Sequence, residues 1–75
     1  MHNLNIIDVS EITDFSSVFS FIDVTNINIS KWDVSNGIDF SYMFSDCSGT
    51  LCDISQWNVG NGTDFHNMFA GFQTF

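Results

Sequence analysis

Seventy-five residues carrying nine Asp and Glu against a single lysine, a formal net charge of −8, exclude a nucleic-acid binder. Phosphates are held by a Lys/Arg footprint that Lys31 alone does not supply, and anionic membrane surfaces are excluded on the same ground. Nine Phe and two Trp exclude a solvated, disordered tail, yet a chain below about 80 residues rarely buries a core that is stable by itself, so burial from outside the chain is expected.

In chain order, Met1 is followed by HNLNIID, with no basic segment leading an apolar run as in a secretory leader. No apolar stretch approaches the roughly 18 residues of a membrane span, so no membrane insertion is expected. Leu4, Ile7 and Val9 then read as a short strand with one face buried. Phe15, Val18, Phe19 and Ile22 fall at i, i+3, i+4 and i+7, the stripe of a short helix. Ile29, Trp32 and Val34 repeat the strand, and Phe40, Met43, Phe44 and Cys47 repeat the helix. Ile54, Trp57 and Val59 followed by Phe65, Met68, Phe69 and Phe72 do so again. Asp14, Asp39 and Asp64 precede each stripe, where a carboxylate caps a helix N-terminus; metal binding is the alternative role for them. Asn36-Gly37 and Asn61-Gly62 separate strand from helix and suit a tight turn with positive φ, whereas Glu11-Ile12 stands there in the first unit.

The period of these patterns is 25 residues. Ile29 to Thr50 and Ile54 to Phe75 share ten of 22 positions without a gap, too many for unrelated segments, so a repeat architecture is expected. The chain reads as one domain, residues 1–75, with repeats at approximately 4–28, 29–53 and 54–75. Stacked, equivalent residues form columns: Val9, Val34, Val59; Phe15, Phe40, Phe65; Phe19, Phe44, Phe69. The expected fold class is an α/β repeat, a leucine-rich-repeat-like right-handed solenoid of three 25-residue strand-turn-helix coils.

ISKWDVSNGIDFSYMFSDC (Ile29 to Cys47) and ISQWNVGNGTDFHNMFAGF (Ile54 to Phe72) resemble the repeats of BspA-like leucine-rich repeat surface proteins, including the mycoplasma-lipoprotein type, whose unit reads approximately ISxWDVSNVTDMSxMFxGC. The resemblance implies a non-catalytic binding or adhesive protein at the cell surface or outside the cell. Three departures stand out. Gly37 and Gly62 occupy the family's usual Val position, Phe40 and Phe65 its common Met, and Ile22 and Phe72 replace the cysteine kept at Cys47.

No nucleophile with a base, no flanking carboxylate pair and no open metal site is suggested, so neither an enzyme nor a cofactor is expected. His2 lies at the terminus, and His66 aligns with Ser16 and Ser41 on the polar side of its unit. Cys47 and Cys52 occupy apolar columns and read as buried thiols; a disulfide across their short spacing is the alternative. Two sulfurs with no matching His or Cys do not make a zinc site. DVSNGID, Asp33 to Asp39, has a faint likeness to a calcium loop but lacks its full pattern, so calcium is a minor alternative. Asn28-Ile29-Ser30 and Asn61-Gly62-Thr63 match the N-glycosylation triplet, which a chain rich in Asn, Ser and Thr produces by accident.

Two surfaces are candidates for partners. Between the buried strand columns, Asp8, Ser10, Lys31, Asp33, Ser35, Gln56 and Asn58 form an outward polar strip, the face on which repeat arrays bind. The terminal repeats lack the polar caps that close such arrays: Leu4, Ile7, Val9 and Phe15 keep the internal pattern at one end, as do Ile54, Trp57, Val59, Phe65, Phe69 and Phe72 at the other. The expected partner is a second copy of the chain, stacked head to tail into a filament or extended surface assembly. The alternative is a fragment of a cell-surface adhesin-like array that binds a protein or glycan on its polar strip.

Overall fold

The structure, a computed structural model, describes residues 2–74; Met1 and Phe75, the ends of the expected domain, lie outside the described residues. Little of the backbone is regular. Two strands of two residues each, β1 (His2–Asn3) and β2 (Ile27–Asn28), pair in parallel with His2 opposite Ile27. A 3-10 helix, Leu4–Ile6, follows β1, and the Asn3 side chain caps it by accepting from the Asn5 amide. Among the described residues there is no α-helix. The expected α/β repeat, a leucine-rich-repeat-like right-handed solenoid of three strand-turn-helix coils, is therefore corrected: the described residues form a small globule with almost no helix and one two-stranded sheet.

Hydrogen bonding explains the missing helices. An α-helix returns each amide to the carbonyl four residues back. Here amides alternate between two other destinations. Val18, Ser20 and Ile22 donate to the carbonyls three residues back, Phe15, Ser17 and Phe19, closing one tight turn every two residues. The intervening amides of Phe15, Ser17, Phe19 and Phe21 donate across to Asp39, Ser41, Met43 and Ser45 of the next segment at 2.8–3.0 Å. Such a path needs left-handed backbone at fixed points. Ser17, Tyr42 and Asn67 have φ of 58°, 59° and 52°, and Phe21, Asp46 and Gly71 have 66°, 56° and 70°. Polar residues with weak helix propensity line these stretches, and an i, i+4 apolar spacing points inward in this turn ladder as it does in a helix.

The expected strands are broken for a related reason. Asp8, Asp33 and Asn58 each accept a hydrogen bond from the amide two residues on, at 2.9–3.0 Å. Asn28 and Asp53 do the same at 3.1 and 2.8 Å. These are Asx turns, which compete with extended structure. Ile7, Trp32 and Trp57 also close backbone turns on Leu4, Ile29 and Ile54.

The 25-residue register nonetheless organises the core. Parallel bridges join Asp14 to Asp39 and Asp39 to Asp64, and Ser48 bridges both Asp23 and Gln73. Phe15, Phe40 and Phe65 stack nearly parallel, with ring centroids 5.4 and 5.3 Å apart. Phe19, Phe44 and Phe69 do likewise at 5.6 and 5.4 Å. Val9, Val24, Ile29, Trp32, Val34, Met43 and Cys47 complete the buried cluster around them. Stacked aromatic pairs add about 0.5–1.5 kcal/mol each beyond their burial.

Gly37 and Gly62 serve packing rather than the positive-φ turn expected of them; neither is among the left-handed residues. A Cβ at Gly37 would overlap Phe40 Cζ and lie 3.0 Å from Phe15 Cδ2; at Gly62 it would overlap Phe65 Cζ and lie 3.1 Å from Phe40 Cδ2. The glycine and the large ring three residues later therefore occupy one shared space.

Candidate functional site

The segments bond to one another through two kinds of group. Along one line run the backbone bonds above, continued by Phe40, Tyr42, Phe44 and Asp46, whose amides donate to Asp64, His66, Met68 and Ala70 at 2.7–2.9 Å. Along another run side chains. The Trp32 and Trp57 indoles donate to the Leu4 and Ile29 carbonyls at 2.9 and 3.0 Å, and the Asn36 and Asn61 carboxamides donate to Ser10 and Ser35, both at 2.7 Å. The sequence reading missed both side-chain ladders. The recurring Trp and Asn were visible signals, but only the fold aims their N–H groups at a carbonyl of the preceding segment.

The two outer faces continue this pattern in opposite senses. On the third segment the amides of Phe65, Asn67, Phe69 and Gly71 have no acceptor among the described residues. On the first, the carbonyls of Asp14, Ser16, Val18 and Ser20 have no donor among them. The outer rings are also uncovered. Phe65 and Phe69 are 42 % and 48 % exposed, whereas Phe40 and Phe44, which they cover, are 0 % exposed. Ile54, Trp57, Val59 and Phe72 are half-buried beside them. On the first segment the face differs from expectation: Val9 and Phe15 are buried and Leu4 is half-buried, so Ile7, Ile12, Val18 and Ile22 present its apolar surface.

The polar strip lies on turns, not on a strand. Asp8, Lys31, Asp33, Gln56 and Asn58 are exposed and Ser10 and Ser35 half-buried. Its carboxylates are already engaged: the Ser10 hydroxyl and amide hold Asp8 below the ordinary aspartate pKa, and those of Ser35 do the same for Asp33. Lys31, Trp32, Asp53 and Gln56 line a shallow groove here, and Glu11, Thr13, Asn36, Ile38 and Asn61 line another.

Asp14, Asp39 and Asp64 cap turns instead of helices, accepting from the amides of Ser16, Ser41 and His66 at 2.8–2.9 Å. Among the described residues, no group of three or more His, Cys, Asp or Glu side chains is placed to hold a metal ion, and no helix is long and apolar enough to cross a membrane. Cys47 and Cys52 are free thiols. Cys47 is buried, its Sγ donates to the Phe19 carbonyl at 2.8 Å, and burial raises its pKa. Cys52 is half-buried, with Sγ 3.5 Å from the Ile29 amide.

A family model described as Mycoplasma protein of unknown function, DUF285, matches residues 1–75. No curated protein and no solved structure matches the chain.

Proposed function

Because the chain belongs to DUF285, a family of Mycoplasma proteins of unknown function, we propose from its own geometry that it is a non-catalytic interaction protein whose partner is a second copy of itself, joined head to tail. One observation carries this reading: the donors left over on the third segment and the acceptors left over on the first are the two halves of the bonding line that joins the segments internally. Two such faces on different sides of one molecule make a heterologous contact, which leads to a filament when the rotation does not close. Covering Phe65 and Phe69 to the extent of Phe40 and Phe44 removes roughly 180 Å² of ring surface from water, about 4 kcal/mol before the cost of association.

Sedimentation velocity over a concentration series tests this. The weight-average mass should rise with concentration. Val18→Lys, on the first segment's face, should abolish the rise, and Ile6→Lys, on an exposed position outside it, should not. A wild-type chain that stays monomeric up to about 1 mM refutes the reading.

A second reading rests on the exposed polar strip of Asp8, Lys31, Asp33, Gln56 and Asn58 together with the sequence likeness to BspA-like surface repeats. In it the chain is part of a cell-surface adhesin-like array that binds a protein or glycan there. Adding one more 25-residue repeat after the third segment distinguishes the two: a strongly stabilised, monomeric product supports the array.

A further inference from the structure

We infer that Glu11 gates the contact between copies: in its protonated form it donates to the neighbouring copy's Gly60 carbonyl the hydrogen bond that Asn36 and Asn61 supply within the molecule. The inference rests on the head-to-tail reading and deepens it by naming the group that regulates it. Asn36 Nδ2 reaches the Ser10 carbonyl and Asn61 Nδ2 the Ser35 carbonyl, both at 2.7 Å. One period further along the ladder the acceptor is the Gly60 carbonyl, which has no donor among the described residues. In a following copy, the residue in the ladder position of Asn36 and Asn61 is Glu11, which is exposed.

An ionised carboxylate has no proton to give, so at neutral pH this site of the contact sets acceptor against acceptor. A neutral carboxylic acid carries one O–H donor and resolves it. The groove around Glu11, formed by Thr13, Asn36, Ile38 and Asn61, holds no other charge. The remaining titratable groups of its segment are Asp8, Asp14 and Asp23. Ser10, Ser16 and Thr25 donate to these and hold each below the ordinary aspartate pKa. The adjoining segment of the same molecule adds Lys31, Asp33, Asp39, Asp46 and Asp53. The joining segment of the other copy adds Asp64 and His66, the latter packed edge-on against Tyr42. These charges lie at the same contact, so pH dependence alone does not identify Glu11, and a variant is needed.

The test is sedimentation of the full chain at neutral pH and at roughly pH 4, comparing wild type with Glu11→Asn and Ile7→Trp. Glu11→Asn restores the ladder side chain and should tighten association about tenfold at neutral pH, with a smaller gain on acidification than wild type shows. Ile7→Trp adds an indole N–H toward the neighbouring Ile54 carbonyl, on the other side-chain ladder, and should tighten association while leaving the pH response intact. If Ile7→Trp strengthens association and Glu11→Asn does not, or if Glu11→Asn keeps the full pH response, the role of Glu11 is overturned and the head-to-tail contact stands. If no variant associates at either pH, both fall.

Discussion

Adding one methyl group at Gly37 and at Gly62 should have unequal effects, although the two positions are equivalent by sequence. At Gly37 the new Cβ overlaps Phe40 Cζ and sits 2.9 Å from Cε2. Phe40 is 0 % exposed and held between Phe15 and Phe65 at 5.4 and 5.3 Å, so its ring has nowhere to move without disturbing two stacks. Overpacking of this kind costs about 1–3 kcal/mol, and disturbing two aromatic stacks puts Gly37→Ala near the upper end, about 3 kcal/mol. At Gly62 the overlap is with Phe65, which has a stack on one side only and is 42 % exposed. Its ring can swing outward, and the cost is about one stack, 1 kcal/mol. For a chain whose whole stability is on the order of 4–11 kcal/mol, the difference of about 2 kcal/mol is large, equivalent to a gap of about 10 °C in Tm. Urea and thermal unfolding at low protein concentration, followed through Trp32 and Trp57, measure it. A Gly62→Ala variant as unstable as Gly37→Ala refutes the shared-space argument. So does failure of Phe40→Met to rescue Gly37→Val, since the smaller, flexible side chain should free the volume that the valine takes.

Other substitutions probe separate parts of the same framework. Trp57→Phe removes the indole bond to the Ile29 carbonyl, which still accepts from the Trp32 amide; a loss of about 1 kcal/mol in chemical unfolding is expected. Ser17→Val places a β-branched residue at φ 58° and should destabilise by about 1–2 kcal/mol, whereas Ser17→Gly should be neutral or stabilising in the same assay. Asp8, Asp14, Asp33 and Asp53 have pKa values lowered in the fold, first by the hydroxyl of the serine two residues on and then by its amide. Groups with depressed folded pKa contribute stability above their unfolded pKa and lose it as pH falls through the folded value. Thermal midpoints should therefore hold at neutral pH and decline below about pH 4; a midpoint that rises there contradicts the sign.

The amino-acid sequence by itself determined which residues meet. Ten shared positions between the second and third segments set a 25-residue register, and Phe15, Phe40 and Phe65 stack in that register because identical rings at identical spacing fill identical space. It also marked the apolar character of the outer faces, through Ile7 and Phe69, but not which residues present them; Val9 and Phe15 are covered and Val18 and Ile22 are not. Backbone conformation within each segment was decided only by tertiary structure. Phe15, Val18, Phe19 and Ile22 have the spacing of a helix stripe, and the same spacing faces inward when the chain turns every second residue. What separates the two states is where the amides of Phe15, Ser17 and Phe19 go. Their acceptors, Asp39, Ser41 and Met43, lie some 24 residues away, so no local pattern contains the choice. The side-chain ladders are hidden for the same reason: Asn36 and Asn61 become donors only when a preceding segment brings a carbonyl within reach.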